Sequence, residues 1–416
     1  MKKRILVILN ARFPYEKSED FLSNELDYAS GFDEIICFPI LVFGIKTTND
    51  IIYKKSKTTL SFFNPISSYW ESKRKIKLLF LILTKKEVYE EIFILLKKRQ
   101  FSLGNIKNLF SFLLISNHTF YEVWNKVNKI LNNNDVVIYS YWMHCSAMTA
   151  ISLKNKIKNT ANVEKIITRC HRFDLYEYAN DSNYIPMRKH ILSNIDEIHS
   201  ISEDGLIYLK EKYTINENKL ILSRLGTIDR GVTIFPKSGT LHLVSCSWMR
   251  PVKRVSSIVE AISNLPFQLE WVHFGDGEEF NSIDNLVKNI NNPLVSCKLM
   301  GAYSNEKVLQ KYANSQYDVF INVSENEGIP VSIMEAMSFG KIIIATNVGG
   351  TAEIVENGIN GYLLDKDFTN NELVSVLTKV ALLDENQFNE MFKQSRIIWE
   401  ERCNAENNYT QFYKNL

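Results

Sequence analysis

The chain has 416 residues, 45% hydrophobic and 23% charged, with a formal net charge of +2. That length exceeds one ordinary core and suits two domains of roughly 200 residues each, in a composition typical of folded, soluble proteins. The near-balanced charge argues against bulk nucleic-acid binding, so any basic function must be local.

The N-terminal MKKRILVILNARF opens with the basic residues of a signal peptide. Its apolar run, Ile5 to Leu9, is shorter than the roughly 7–15 residues of an h-region and reads as a first buried strand. Further candidate strands follow at 34–38, 136–140, 165–169, 197–202 and 219–223. From Lys54 to Lys107 there are thirteen Lys or Arg against four Glu, interleaved with Phe62, Phe63, Tyr69, Trp70, Phe80, Phe93 and Phe101. This begins an insertion at about 54–130. A basic, aromatic, helix-compatible segment can dock on an anionic membrane surface. It can equally cover the first domain with its lysines solvated, or meet the phosphates of a lipid-linked acceptor. The longest apolar stretches, 78–83 and 109–115, fall short of the roughly 20 residues that span a bilayer. The expectation is a cytoplasmic protein, at most peripheral on the inner face of the membrane.

GTIDRGVTIFPKSG (226–239) is rich in glycine and turn formers and divides the chain into domains 1–225 and 226–416. The last helix could return to the first domain. In the second domain, runs at 241–247, 268–274, 295–300, 317–323, 341–346 and 361–364 alternate with helical patterns. Such alternation implies a parallel sheet covered on both faces, with function in the loops beyond the strands' carboxyl ends. The fold class is therefore α/β: two Rossmann-like αβα domains facing a cleft. Six cysteines lie far apart without a C-x-x-C pair and read as buried free thiols in a reducing compartment.

SENEGIPVSIMEAMSFGKIIIATNVGG (324–350) carries the chemistry. Gly328 permits a tight turn, and Pro330 is expected as the first residue of a helix. The N–H groups from Gly328 to Val331 would then form an anion site at the helix start. Carboxylates would repel a diphosphate, so Glu327 and Glu335 suit neutral hydroxyls at opposite ends of one ligand. A molecule with sugar hydroxyls at both ends and a diphosphate between is a nucleotide sugar.

These residues, with Gly340 and Val348-Gly349-Gly350-Thr351-Ala352-Glu353, resemble the donor-site signature of glycosyltransferase family 4, retaining enzymes of the GT-B fold. The mark is a glutamate, seven residues, and a glutamate. The resemblance implies that Glu335 holds the ribose and that Glu327 contacts the transferred sugar, helped by amides near Ile329 and Val331. It implies that Lys253 neutralises the leaving diphosphate. An arginine usual in the family is replaced by Trp248, with Arg250 as its substitute. Gly275, beside Asp276 and Gly277, and Gly301 would border the base. In TRCHRFDLYE (168–177), His171 would meet the donor, while Asp174 could orient the loop or cap a helix. NARFPYEKSEDFLSNEL (10–26) occupies the place of a glycine-rich loop without its glycines; Arg12 is the candidate there. His199, His242 and His273, within apolar strands, read as satisfied core or surface residues.

The implied reaction transfers a sugar from a nucleoside diphosphate, UDP favoured, to a hydroxyl acceptor with retention. It needs no metal or cofactor, and a lipid-linked glycan in surface polysaccharide assembly is the expected acceptor. Two rival readings are a non-catalytic partner subunit and a nucleotide-sugar 2-epimerase.

Overall fold

A computed structural model describes residues 2–15, 19–41, 51–55, 58–63, 75–233 and 235–416; Tyr69 and Trp70 of the basic segment lie outside them. The chain forms two units, Met1–Ser223 with Tyr409–Leu416, and Arg224–Asn408.

The first unit contains β1 (Arg4–Asn10), α1 (Asp20–Leu26), β2 (Glu34–Pro39), β3 (Ile51–Lys55), β4 (Thr58–Phe62), α2 (Lys75–Leu83), α3 (Lys86–Lys97) and α4 (Leu103–Leu131). It continues through β5 (Asp135–Ser140), α5 (Cys145–Ile157), β6 (Asn162–Cys170), α6 (Arg188–Asn194), β7 (Glu197–Ser200), α7 (Glu203–Lys212) and β8 (Leu220–Leu222). The sheet order is β3-β4-β2-β1-β5-β6-β7-β8. All its pairings are parallel except that of β3 with β4. Its central strands are buried nearly throughout, which is why they read as continuous β-branched runs rather than alternating ones.

Part of the basic segment is therefore sheet. TTLSF (58–62) pairs in parallel with β2, and β3 folds back on it. The lysines flanking these strands obscured a β-prone core of Thr, Leu and Phe. The helical remainder ends in α4, which starts where Ser102 Oγ accepts the Asn105 N–H at 3.1 Å. Its buried residues Leu109, Leu113, Val123, Val127 and Leu131 keep helical spacing.

One charge pair lies wholly inside this unit. Arg169 and Glu25 meet at 2.5 Å with both side chains fully buried. Arg169 also stacks 4.4 Å from the Phe412 ring, and Tyr413 Oη donates to Glu25 at 3.3 Å. Burial pushes the Glu25 carboxyl up, and the Arg169 charge draws it back.

The second unit runs β9 (Leu241–Cys246), α8 (Val255–Ile262), β10 (Leu269–Phe274), α9 (Phe280–Lys288), β11 (Val295–Leu299), α10 (Asn305–Asn314) and β12 (Val319–Asn322). There follow α11 (Val331–Ser338), β13 (Ile342–Thr346), β14 (Gly361–Leu364), α12 (Asn370–Ala381), α13 (Glu385–Arg402) and α14 (Ala405–Asn415), whose end belongs to the first unit. The order is β11-β10-β9-β12-β13-β14, parallel throughout. Strands run outward one way from β9 and the other way from β12, so a crevice opens beyond their carboxyl ends. The corresponding point in the first sheet lies between β1 and β5. All six cysteines are free; Cys246 and Cys297 are half-buried and the others buried. No helix among the described residues is long and apolar enough to cross a membrane.

Candidate active site

The loops leaving β9 and β12 are held together by a residue that sequence reasoning had not singled out. Arg254, at φ +48°, donates from Nε to Val323 O at 2.7 Å, and from its two terminal nitrogens to Ser324 O at 3.2 Å and Lys366 O at 2.6 Å. The Glu325 N–H adds a bond to Val252 O at 2.8 Å. Asn322 Oδ1 accepts from the Ser324 N–H at 3.1 Å and Oγ at 2.5 Å, and Thr346 Oγ1 donates to Ser324 O. The only sequence signal for Arg254 was its place in Lys253-Arg254 at a helix start, and nothing there separates the two roles.

This frame brings Lys253 and Glu327 together. Lys253 Nζ lies 2.5 Å from Glu327 Oε1, with the side chains 26% and 13% exposed. Asn322 Nδ2 donates to the same oxygen at 3.3 Å. Gly349 explains why the double glycine follows. It sits at φ +52°, and a Cβ there would lie 2.1 Å from Glu327 O and 2.9 Å from Gly328 O. The Gly350 N–H donates to Gly328 O at 2.7 Å. The two glycines thus seat the Glu327 turn.

Pro330 is the N-cap of α11 rather than its first residue, with ψ 112°. Its extended conformation, together with its ring, ends the loop one residue later than expected, and Pro330 O accepts from the Ile333 and Met334 N–H groups. Val331 and Ser332 therefore begin the helix with no intrahelical acceptor for their N–H groups, beside Gly328 and Ile329. Glu335, in the second turn, accepts from Asn305 Nδ2 at 2.6 Å at the start of α10. Its charge also faces Cys246, whose thiol is pushed up to about 12 by burial and then by Glu335. The two glutamates thus engage different partners: Glu327 the β9–α8 turn, Glu335 the start of α10.

Gly275 and Gly301 form a bridge, with the Gly275 N–H donating to Gly301 O at 2.9 Å. A Cβ on Gly275 would lie 1.8 Å from Ser247 O, so that loop packs directly on the one leaving β9. Beneath it His273 is fully buried, with its ring nitrogens 2.8 Å from Ser245 Oγ and 3.1 Å from Ser247 O. Burial lowers its pKa to about 4. His242 pairs with Asp318 Oδ2 at 3.0 Å and His199 with Ser223 Oγ at 2.7 Å. Trp248 and Arg250 project into solvent, Trp248 with 64% of its surface exposed.

In the first unit, His171 is buried against Trp142, with ring centroids 4.3 Å apart, and against Tyr141. Neither of its ring nitrogens has a hydrogen-bond partner; Asp174 Oδ2 lies 3.8 Å from Nδ1. Asp174 accepts the His171 N–H at 2.7 Å and the Met143 N–H at 2.6 Å, tying together the loops after β6 and β5. Its burial favours the neutral form, but these bonds and the His171 ring hold it below the usual carboxylate range.

The loop that lacks glycines is organised by Glu19, which sequence reasoning missed. The buried carboxylate accepts the Ala11 N–H at 2.9 Å, the Arg12 N–H at 2.5 Å and the Phe13 N–H at 2.7 Å. Asn10 Nδ2 and Trp142 Nε1 also donate to it, at 3.1 Å and 2.5 Å. Successive amides that could cradle an anion are filled by the chain's own carboxylate. Arg12 itself is exposed.

Residues 235–396 match the family model described as glycosyl transferases group 1. N-acetyl-alpha-D-glucosaminyl L-malate synthase of Bacillus anthracis is 27% identical over 214 residues, 48% of this chain and 54% of that protein. An uncharacterized glycosyltransferase of Methanocaldococcus jannaschii is 26% identical over 244 residues, 59% of each. The chain thus spans little more than half the length of these relatives. The structure of Anabaena HepE in complex with UDP and glucose superposes with a TM-score of 0.65 at 13% identity, covering 99% of this chain and 98% of that one. The match to the family model thus lies within the second unit, and the fold of the whole chain is that of GT-B glycosyltransferase structures.

Proposed function

We propose that the protein is a retaining glycosyltransferase of the family 4 type. It would move a sugar from a UDP-sugar to a hydroxyl acceptor on a lipid-linked glycan, in surface polysaccharide assembly. The observation that carries this reading is the Lys253–Glu327 pair at the sheet's reversal point, beside the start of α11. As the sugar–phosphate bond breaks, negative charge grows on the departing diphosphate. Lys253, exposed Arg250 and the Val331 and Ser332 N–H groups supply positive potential there. Glu327, released from Lys253, would hold the transferred sugar, and Glu335 the ribose. Gly275 and Gly301 would border the base. In the first unit, His171 with its two unpartnered nitrogens is the group proposed to meet donor hydroxyls or phosphate. The proposed reaction draws its charge stabilisation from these protein groups and calls for no metal. HepE's complex supports the choice of UDP.

Thermal unfolding against a panel of nucleotide sugars tests the reading. A ligand at a hundred times its Kd contributes about 2.7 kcal/mol, which raises Tm by about 5–10 °C for a domain of this size. A UDP-sugar should give that shift and release UDP only with acceptor present. Absence of stabilisation by every nucleotide sugar would refute it. Stabilisation without turnover would point to a non-catalytic subunit, and conversion without acceptor to a 2-epimerase.

A further inference from the structure

α2 is apolar on two opposite faces. Leu78 and Ile82 are buried in the first unit, while Ile76, Leu79, Phe80 and Leu83 point outward, with Ile76 87% and Phe80 68% exposed. Their spacing, i, i+3, i+4 and i+7, is one continuous helical stripe. α3 repeats the arrangement. Val88 and Leu95 face inward, whereas Tyr89, Phe93 and Leu96 are exposed at i, i+4 and i+7. Tyr89 Oη donates to Leu83 O at 2.5 Å and joins the two helices. Phe101 and Leu103 extend the surface toward α4. So many large apolar side chains in one short stretch exceed the scattered exposure normal for a soluble surface.

The same stretch is basic. Residues 76–107 hold seven Lys or Arg against three Glu, and Glu91 is buried. Lys77, Lys86, Lys97, Lys98 and Arg99 are exposed. Lys85 is excluded from this set, because its amine is tied to Asn117 Oδ1 at 3.0 Å and burial lowers its pKa. Glu90 is offset by Lys86 at 3.1 Å.

We infer that α2 and α3 form a docking surface for an anionic lipid bilayer, with the aromatic and aliphatic stripe entering the acyl boundary and the lysines meeting headgroup phosphates. A second copy of the chain would set this positive charge against itself. A bilayer offers apolar interior and negative charge in one plane, which matches both properties. This inference stands apart from the proposed reaction, since vesicle binding needs no donor.

Co-sedimentation of the full chain with phosphatidylcholine vesicles, with and without phosphatidylglycerol, tests it. Wild type should pellet with the anionic vesicles and be partly released by high salt. Phe80→Ser with Phe93→Ser should lower the partition coefficient on the order of a hundredfold, about tenfold per ring. Lys77→Glu with Lys97→Glu should lower it at least about fivefold per site. Circular dichroism melts verify folding, and Leu79→Ser with Leu96→Ser provides a second apolar test if the first pair unfolds. Wild type remaining in the supernatant, or serine variants that pellet like wild type, would overturn the inference. So would self-association of wild type in sedimentation equilibrium that the serine variants abolish, because the face would then join two copies.

Discussion

Gly349→Ala isolates the mechanical link between the double glycine and Glu327. The added methyl would lie 2.1 Å from Glu327 O, so that carbonyl must retreat about 0.9 Å to reach the 3.0 Å floor of real Cβ contacts. Holding alanine at φ +52° costs about 1 kcal/mol, and crowding a packed turn adds about 1–3 kcal/mol. Tm should therefore fall by about 5–12 °C. A displacement near 1 Å at a positioned catalytic group costs on the order of a hundredfold in turnover. Gly358→Ala is the control: Gly358 has φ +81° with nothing within 4 Å of a Cβ, so it carries the strain alone. The assay is nucleoside diphosphate release at saturating donor with acceptor present, well below both melting temperatures, beside thermal unfolding of each variant. Gly349→Ala with the Tm and turnover of Gly358→Ala would show that the glycine does not seat the Glu327 turn.

Glu327→Gln keeps the shape but loses the charge opposite Lys253. Turnover should drop roughly a hundredfold or more with the fold retained, and an unchanged rate would remove Glu327 from the chemistry. Arg169→Met leaves Glu25 buried without its partner and should cost about 3–5 kcal/mol in urea unfolding, much of it recovered in the double variant with Glu25→Gln. Glu19→Ala strands three loop N–H groups and the Trp142 Nε1 donor. About 2–4 kcal/mol of stability should go with them, and near-ultraviolet circular dichroism should report the released Trp142; a silent spectrum at wild-type Tm contradicts the nest. The neutral His273 sets a pH limit. With a folded pKa of about 4 against an ordinary value near 6.5, its stabilisation is complete above about pH 6.5. Roughly 3 kcal/mol is lost as pH falls toward 4, and His273→Asn should flatten the Tm–pH curve over that range.

Much of the second unit was legible because each strand is a short run rich in β-branched or aromatic residues and several of the loops that follow carry their own glycine or proline punctuation. The candidate runs from 241 to 364 correspond to β9 through β14; β12 and β13, buried nearly throughout, leave a continuous apolar signal, while the edge strand β11 alternates half-buried and exposed residues. Glu327, Lys253 and Gly349 could be named because turn and charge chemistry are local. What was hidden is longer in range. Arg254 acts through carbonyls of residues 323, 324 and 366, and carbonyls leave no trace in sequence. Glu19 stabilises three backbone N–H groups and a side chain 123 positions away, so its absent glycines looked like a loss rather than a substitution. β3 and β4 escaped because lysines border them and their pairing with β2 is set by the sheet.

The 2.5 Å contact between Lys253 and Glu327 ties the lysine proposed to meet the diphosphate to a carboxylate of the same chain. In the proposed site, an anion that takes Lys253 would exchange places with an attached carboxylate, already held at high local concentration by the chain itself. Singly charged bystanders such as chloride gain little from that exchange. On the proposed reading, a diphosphate that also brings hydroxyls for the displaced glutamate would compensate both halves of the broken contact. Selectivity of this kind works as a latch that only a two-ended key can open.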